Sequence, residues 1–127
     1  MTISNYMETR ILDRVFGRTT TPLNSTLIYA SLHTADPGET GTNAPLASCP
    51  RFSVHFGAAG GSTIANDTTA SIVASATGGL THVALWDSSD TATANCLWSG
   101  PLNTTKTVAN TGDTVTLAVG ALVVTID

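Results

Sequence analysis

The chain has 127 residues, 42% of them hydrophobic and only 11% charged, with a net charge of −4. That length is one domain with a core of ordinary size, and an acidic balance without a cluster of Lys or Arg excludes a nucleic-acid backbone as partner. No run reaches the length of a membrane span and no secretory leader opens the chain, so it is expected to be made and assembled in the cytosol without a membrane partner.

Residues 3–16 carry helical periodicity: Ile3, Met7, Ile11 and Val15 recur every four positions, and Tyr6, Leu12 and Phe16 widen the stripe. Ser4 or Asn5 is placed to cap the start, and Gly17 followed by Arg18 to end it. Arg10, Arg14 and Arg18 share one side of this helix, with Glu8 and Asp13 among them. The stripe has to be buried, either on the chain's own domain or on a partner.

Residues 18–22 read as an extended linker, because Pro22 biases Thr21 away from helix. Residues 26–33 form a strand without strict alternation, which suggests cover on both faces. Residues 34–50 are a long connection containing Asp36-Pro37-Gly38, a binding or packing feature or else a disordered one. Residues 51–56 alternate, with Phe52, Val54 and Phe56 on one side. Residues 57–67 are a glycine-rich connection with neither the Lys-Ser/Thr of a P-loop nor a dinucleotide fingerprint. A weak strand follows at 70–74.

The centre of the chain is residues 79–102. A run from Thr81 to Trp86 and a second from Asn95 to Trp98 flank the polar turn Asp87-Ser88-Ser89-Asp90, and Gly100-Pro101 is expected to stop the second run. Both tryptophans of the chain lie here. Further strands are expected at 105–109, 114–119 and 122–126, with a turn at 110–113 and a bend at Gly120. One helix (1–17) and seven or eight short strands (18–127) make a single mainly β domain. An antiparallel β-sandwich or jelly-roll-like flattened barrel is the expected architecture.

Candidates for chemistry are sparse. His33, His55 and His82 fall in different strands, and none has a ligand-spaced neighbour in sequence. Asp87, Asp90 and Asp113, with Asp36, lack the dense ladder of a calcium loop and read as turn residues. Cys49 and Cys96 have no metal-binding spacing and are expected to be free thiols. Trp86, Trp98 and Tyr29 would stack on sugar rings if exposed, although alternating strands more often bury such residues. No catalytic residue, cofactor or metal is expected.

Several segments together resemble a known family. They are the opening helix from Ser4-Asn5-Tyr6 to Phe16-Gly17, the run Leu27-Ile28-Tyr29-Ala30-Ser31-Leu32-His33-Thr34 and the loop Asp36-Pro37-Gly38-Glu39-Thr40-Gly41. Arg51-Phe52-Ser53-Val54-His55-Phe56, Gly61-Ser62-Thr63 with Asn66, and Thr81-His82-Val83-Ala84-Leu85-Trp86-Asp87 continue the match. Leu97-Trp98-Ser99-Gly100-Pro101-Leu102 and Thr111-Gly112-Asp113-Thr114-Val115 with Gly120 complete it. The chain resembles the small bacteriophage virion proteins labelled tail-fibre-like, some of which look like capsid decoration or cement proteins. Where that pattern has Tyr-Ala-Arg before the third strand, this chain has Ser48-Cys49-Pro50-Arg51.

The resemblance implies a non-enzymatic virion structural protein whose partners are other virion proteins. Because no repetitive or coiled shaft is present, a capsid cement protein bound to the major capsid protein is preferred over a tail-fibre or tail-tip adaptor. A carbohydrate-binding module is the more distant alternative. Neutral strands with few lysines suggest a homotrimer or other small homo-oligomer. Partner contacts are expected from Met7, Ile11 and Val15 with Arg10 and Arg14 at their rim, and from the Asp36-Pro37 loop.

Overall fold

The computed structural model describes residues 1–20 and 27–126, so the expected linker at Thr21-Pro22 and the start of the 26–33 strand lie outside the described residues. A two-residue strand, β1 (Thr2–Ile3), leads into helix α1 (Asn5–Val15). The Ser4 hydroxyl caps the helix by accepting from the Met7 amide at 3.2 Å, and it donates to the Cys96 carbonyl at 2.5 Å. One short side chain therefore starts the helix and ties it to the sheet.

The other end of α1 closes as a Schellman motif. Gly17 takes φ 73°, its amide donates to the Arg14 carbonyl, and the Arg18 amide donates to the Asp13 carbonyl. Gly17 is needed here because the left-handed conformation strains any residue bearing a Cβ. Glu8 in the first turn and Arg14 in the last oppose the helix dipole at their respective ends.

The remaining elements are β2 (Ile28–His33), β3 (Phe52–Val54), β4 (Thr63–Ala65), β5 (Ala70–Val73), β6 (Gly78–Trp86), β7 (Cys96–Val108), β8 (Thr114–Leu117) and β9 (Val123–Thr125). They form a five-stranded antiparallel sheet of order β1-β7-β6-β2-β3 and two two-stranded sheets, β4-β9 and β5-β8. The architecture is mainly β with one N-terminal helix and antiparallel pairing throughout, as expected. The sheets do not close into a barrel.

One face of the main sheet packs on the small sheets. Ala30, Leu32, Val54, Leu80, Val83 and Leu85 meet Ala70, Val115, Leu117 and Val124 there, all buried. A register shift between Leu80 and His82 brings Leu80 and Val83, of opposite parity along β6, into the same core.

Three expected boundaries change. β7 does not stop at Gly100-Pro101 but runs on through the expected separate strand at 105–109. Pro101 pairs with His82 beside the register shift, where a missing N–H is tolerated. Gly100 is bare because a Cβ there would fall 2.7 Å from Met1 Cα, so its absence lets the N-terminus lie against β7. Strand β4 lies within the stretch expected to be connection, and β1 was not expected at all.

The 34–50 connection is neither strand nor disordered coil. The Thr34 amide donates to Ala44 O and the Leu46 amide to Leu32 O, both at 2.9 Å, and Ser99 Oγ donates to Gly38 O at 3.0 Å. Leu46 enters the main core. Between these anchors the loop lies over the outer face of the main sheet, where Ala84, Trp86 and Cys96 form a second apolar cluster with Tyr29.

A buried asparagine joins the far end. Asn66, 1% exposed, donates its amide to Thr68 O and Ala118 O at 2.8 and 2.9 Å and accepts from the Leu122 amide at 2.9 Å. Asn66→Ala leaves the buried Leu122 amide without its acceptor and takes one donor each from the Thr68 and Ala118 carbonyls, the latter keeping the Ala121 amide. It is expected to cost about 2–4 kcal/mol, read as a lowered urea midpoint with an unchanged slope.

Candidate functional site

The outer face of the main sheet carries a continuous polar relay. Trp86 Nε1–H donates to Ser31 Oγ at 2.8 Å, Ser31 Oγ lies 2.7 Å from His33 Nε2, and His33 Nδ1 lies 2.7 Å from the Asn43 carbonyl. An indole N–H only donates and a carbonyl only accepts, so with a neutral His33 ring, which carries one N–H, the directions between them are set. Ser31 gives its proton to Nε2, and Nδ1–H is given to Asn43.

Beside the relay, the Arg51 guanidinium sits 3.5 Å from the centroid of the Trp86 ring. It donates to Asp90 O at 2.8 Å and to Ser88 O at 3.4 Å. The 87–95 turn is thereby fastened across the end of the sheet. Asp87 accepts from the Asn95 amide and side chain, both at 2.8 Å, and Asp90 accepts from the Ala92 amide and the Thr93 hydroxyl. Those two hydrogen bonds hold the Asp90 carboxyl below its usual range. The polar turn expected between the two runs is therefore a braced one.

Two of the histidines, His33 and His82, are register partners across β2 and β6, and His55 stands apart from both. His33 belongs to the relay, His82 contacts Thr81 Oγ1 at 2.8 Å, and His55 pairs with Asp67 at 2.5 Å on an exposed surface. Among the described residues no group of three or more His, Cys, Asp or Glu side chains comes together to hold a metal. Cys49 and Cys96 are free thiols, and burial pushes the Cys96 thiol up to about 11. Trp86 is 3% exposed under Arg51, so its ring offers no face to a sugar. No helix among the described residues is long and apolar enough to cross a membrane.

The expected contact residues separate into two groups. Met7 is buried and Ile11 half-buried where α1 packs on β7, and Pro37 is buried within the loop. Arg10 is half-buried with its guanidinium 5.7 Å from the Tyr6 ring, and Arg14 reaches the Thr19 carbonyl at 3.4 Å. Asp36 is exposed, and its carboxylate accepts the Gly38 amide at 2.9 Å. Val15 stands clear of the domain.

Val15 has company that the four-residue stripe did not single out. Leu12, Val15 and Phe16 are 57%, 70% and 76% exposed at the C-terminal end of α1, beyond the turn that Met7 buries. Near the helix, an apolar cleft of about 590 Å³ lies between the main sheet and the β4-β9 pair, lined by Met7, Ile28, Phe56, Trp98, Val124 and Ile126 among others. The sequence signal for the exposed patch is the width of the helical stripe, which exceeds what one helix buries on one sheet edge.

The described residues form a braced β scaffold with an exposed apolar helix end, an arrangement suited to a structural protein that acts through contacts. A family model described as podophage GP4 fiber I protein gp80 matches residues 2–125, nearly the whole chain, and the chain belongs to this family. It is a phage fibre protein, a non-enzymatic structural component of the virion. No curated protein matches the chain. The preference for a capsid cement protein is corrected by the family, which supports the tail-fibre alternative. The missing shaft weighs little, because a shaft can be supplied by another polypeptide.

Arg51→Met keeps an apolar stem over Trp86 and removes both donors to the 87–95 turn. The variant is expected to stay folded and lose about 1–2 kcal/mol. Amide exchange at Ala94 and Asn95 should accelerate while that of β5 and β8 changes only by the global amount.

Proposed function

We propose that the chain is a globular adaptor or tip module of the tail fibre, fixed to a neighbouring virion protein through the outer face of α1. The observation that carries this is the exposure of Leu12, Val15 and Phe16 together at the end of a helix already anchored by Ser4 and Met7. A helix held by Met7, the Ser4 cap and the Schellman turn is a rigid platform, so docking it costs little further ordering. Burying these side chains contributes a few kcal/mol at about 25 cal/mol per Å², enough for a contact repeated on a particle.

Within this reading Met7, Ile11 and Arg10 hold the platform, while Leu12, Val15 and Phe16 meet the partner with Arg14 at the helix end. The Asp36-Pro37 loop contributes its exposed carboxylate side, Pro37 serving as the internal anchor. Copies of the chain also associate as a small closed homo-oligomer. The short outer edge of β3 supports this, since it is unpaired among the described strands and carries no lysine. Sedimentation showing only monomer at high concentration and on the particle would remove that part of the proposal.

The docking face is tested with a double substitution, Leu12→Glu with Phe16→Glu, in phage lacking the wild-type gene. The purified variant should unfold within about 2 °C of wild type, because both residues are exposed. It should be absent from purified particles, whereas wild type should be found on the fibres by immunogold labelling. Incorporation at the wild-type level would overturn the proposal. Met7→Ala separates anchoring from docking: it should cost about 2–4 kcal/mol of stability.

A further inference from the structure

The 34–50 loop is the cover of the outer sheet face, and its middle is held there by a titratable ring. His33 is 1% exposed at the end of β2, and its Nδ1–H is the side-chain tie to the loop carbonyl of Asn43. The cover is close-fitting. A Cβ built on Gly41 would lie 2.7 Å from Cys96 Sγ and 2.8 Å from Trp86 Cζ2. Loop, relay and Trp86 therefore stay together or separate together.

We propose that the Trp86–Ser31–His33–Asn43 relay is a pH-sensitive latch, and that protonation of the His33 ring releases the 36–44 segment from the outer face of the main sheet. The neutral ring satisfies every member of the relay. A proton taken from solvent onto Nε2 turns that atom into a donor facing Ser31 Oγ, which already accepts the Trp86 N–H. The Ser31 hydroxyl proton then loses its acceptor, and a positive charge is left in a closed site. Opening the loop gives both to water.

The surrounding charges push in the same direction. His82 on β6 and Arg51 ahead of β3 both oppose a positive charge on the ring, second to its burial and against the favourable Asn43 carbonyl. The loop's own carboxylates, Asp36 and Glu39, are exposed, and the Cys96 thiol on β7 is held neutral by burial. His33 is thus held below the usual histidine range in the closed state and returns to about 6.5 when the loop opens. The latch is fully set above about pH 6.5 and weakens as pH falls through the window beneath it. One proton makes the open population grow by up to about tenfold per pH unit in that window.

Heteronuclear NMR on the full chain between about pH 7.5 and 5 tests this. Exchange protection of the Gly41 and Asn43 amides and of the Trp86 indole N–H, corrected for intrinsic exchange, should fall with pH by up to about tenfold per unit. The Trp98 indole and the β5-β8 amides should keep their protection. In wild type the His33 ring resonances should titrate with the same midpoint, a measurement that needs no variant. His33→Gln should flatten the pH dependence, and His82→Gln should retain it. Protection independent of pH in wild type would overturn the proposal. So would an undiminished pH dependence in His33→Gln, or a His33 titration that leaves the Trp86 indole unchanged.

Discussion

The structure depends on covering a sheet that is apolar on both faces. Strand β6 lies between β2 and β7, and its last four residues, Val83, Ala84, Leu85 and Trp86, are all buried. Val83 and Leu85 reach the core shared with the small sheets, whereas Ala84 and Trp86 point the other way. Among the described residues α1 is the one helix, and no second regular layer covers that other face. The 34–50 loop supplies it instead, with Gly41 against Trp86 and Cys96, Pro37 buried, and Arg51 closing the Trp86 ring from beside the loop. A loop used in this way has to satisfy its own backbone at the sheet surface, which is what Ser99, His33 and Asp36 do.

With both faces covered and the 87–95 turn braced, Leu12, Val15 and Phe16 remain exposed together at the end of α1 near the apolar cleft. This division suits a fibre protein, whose task is to hold a fixed shape between neighbours. Helix α1 is tied to the sheet by backbone and side-chain bonds at Ser4 and ended by Gly17. A surface presented on so fixed an element favours a single docking geometry.

Much of this was legible in the sequence because the periodicities are strong. The four-residue spacing from Ile3 to Val15 marked α1, and alternation through Phe52 and Val54 and through Val115 and Leu117 marked β3 and β8. What failed was local punctuation overruled by tertiary pairing. Gly100-Pro101 looked like a stop, yet Pro101 sits at a bulge and Gly100 makes room for Met1. Thr63-Ile64-Ala65 looked like loop because glycines precede it, and it became a strand only by meeting β9. Arg51 and Trp86 are too distant in sequence for spacing to join them, and the relay depends on strand register that no single segment reveals. The capsid-cement preference failed for another reason: the missing shaft described this polypeptide and not the assembly it enters.

The central claim is that the loop is a packed layer and not a tether, and Gly41 is where that claim is most exposed. Its φ of 71° and the 2.7 Å approach of a built Cβ to Cys96 Sγ leave no room for a methyl group unless the layer lifts. The decisive measurement is urea denaturation of Gly41→Ala. The account predicts a loss of about 2–4 kcal/mol from overpacking together with left-handed strain. A variant within about 0.5 kcal/mol of wild type, the range of an unremarkable surface substitution, would contradict it.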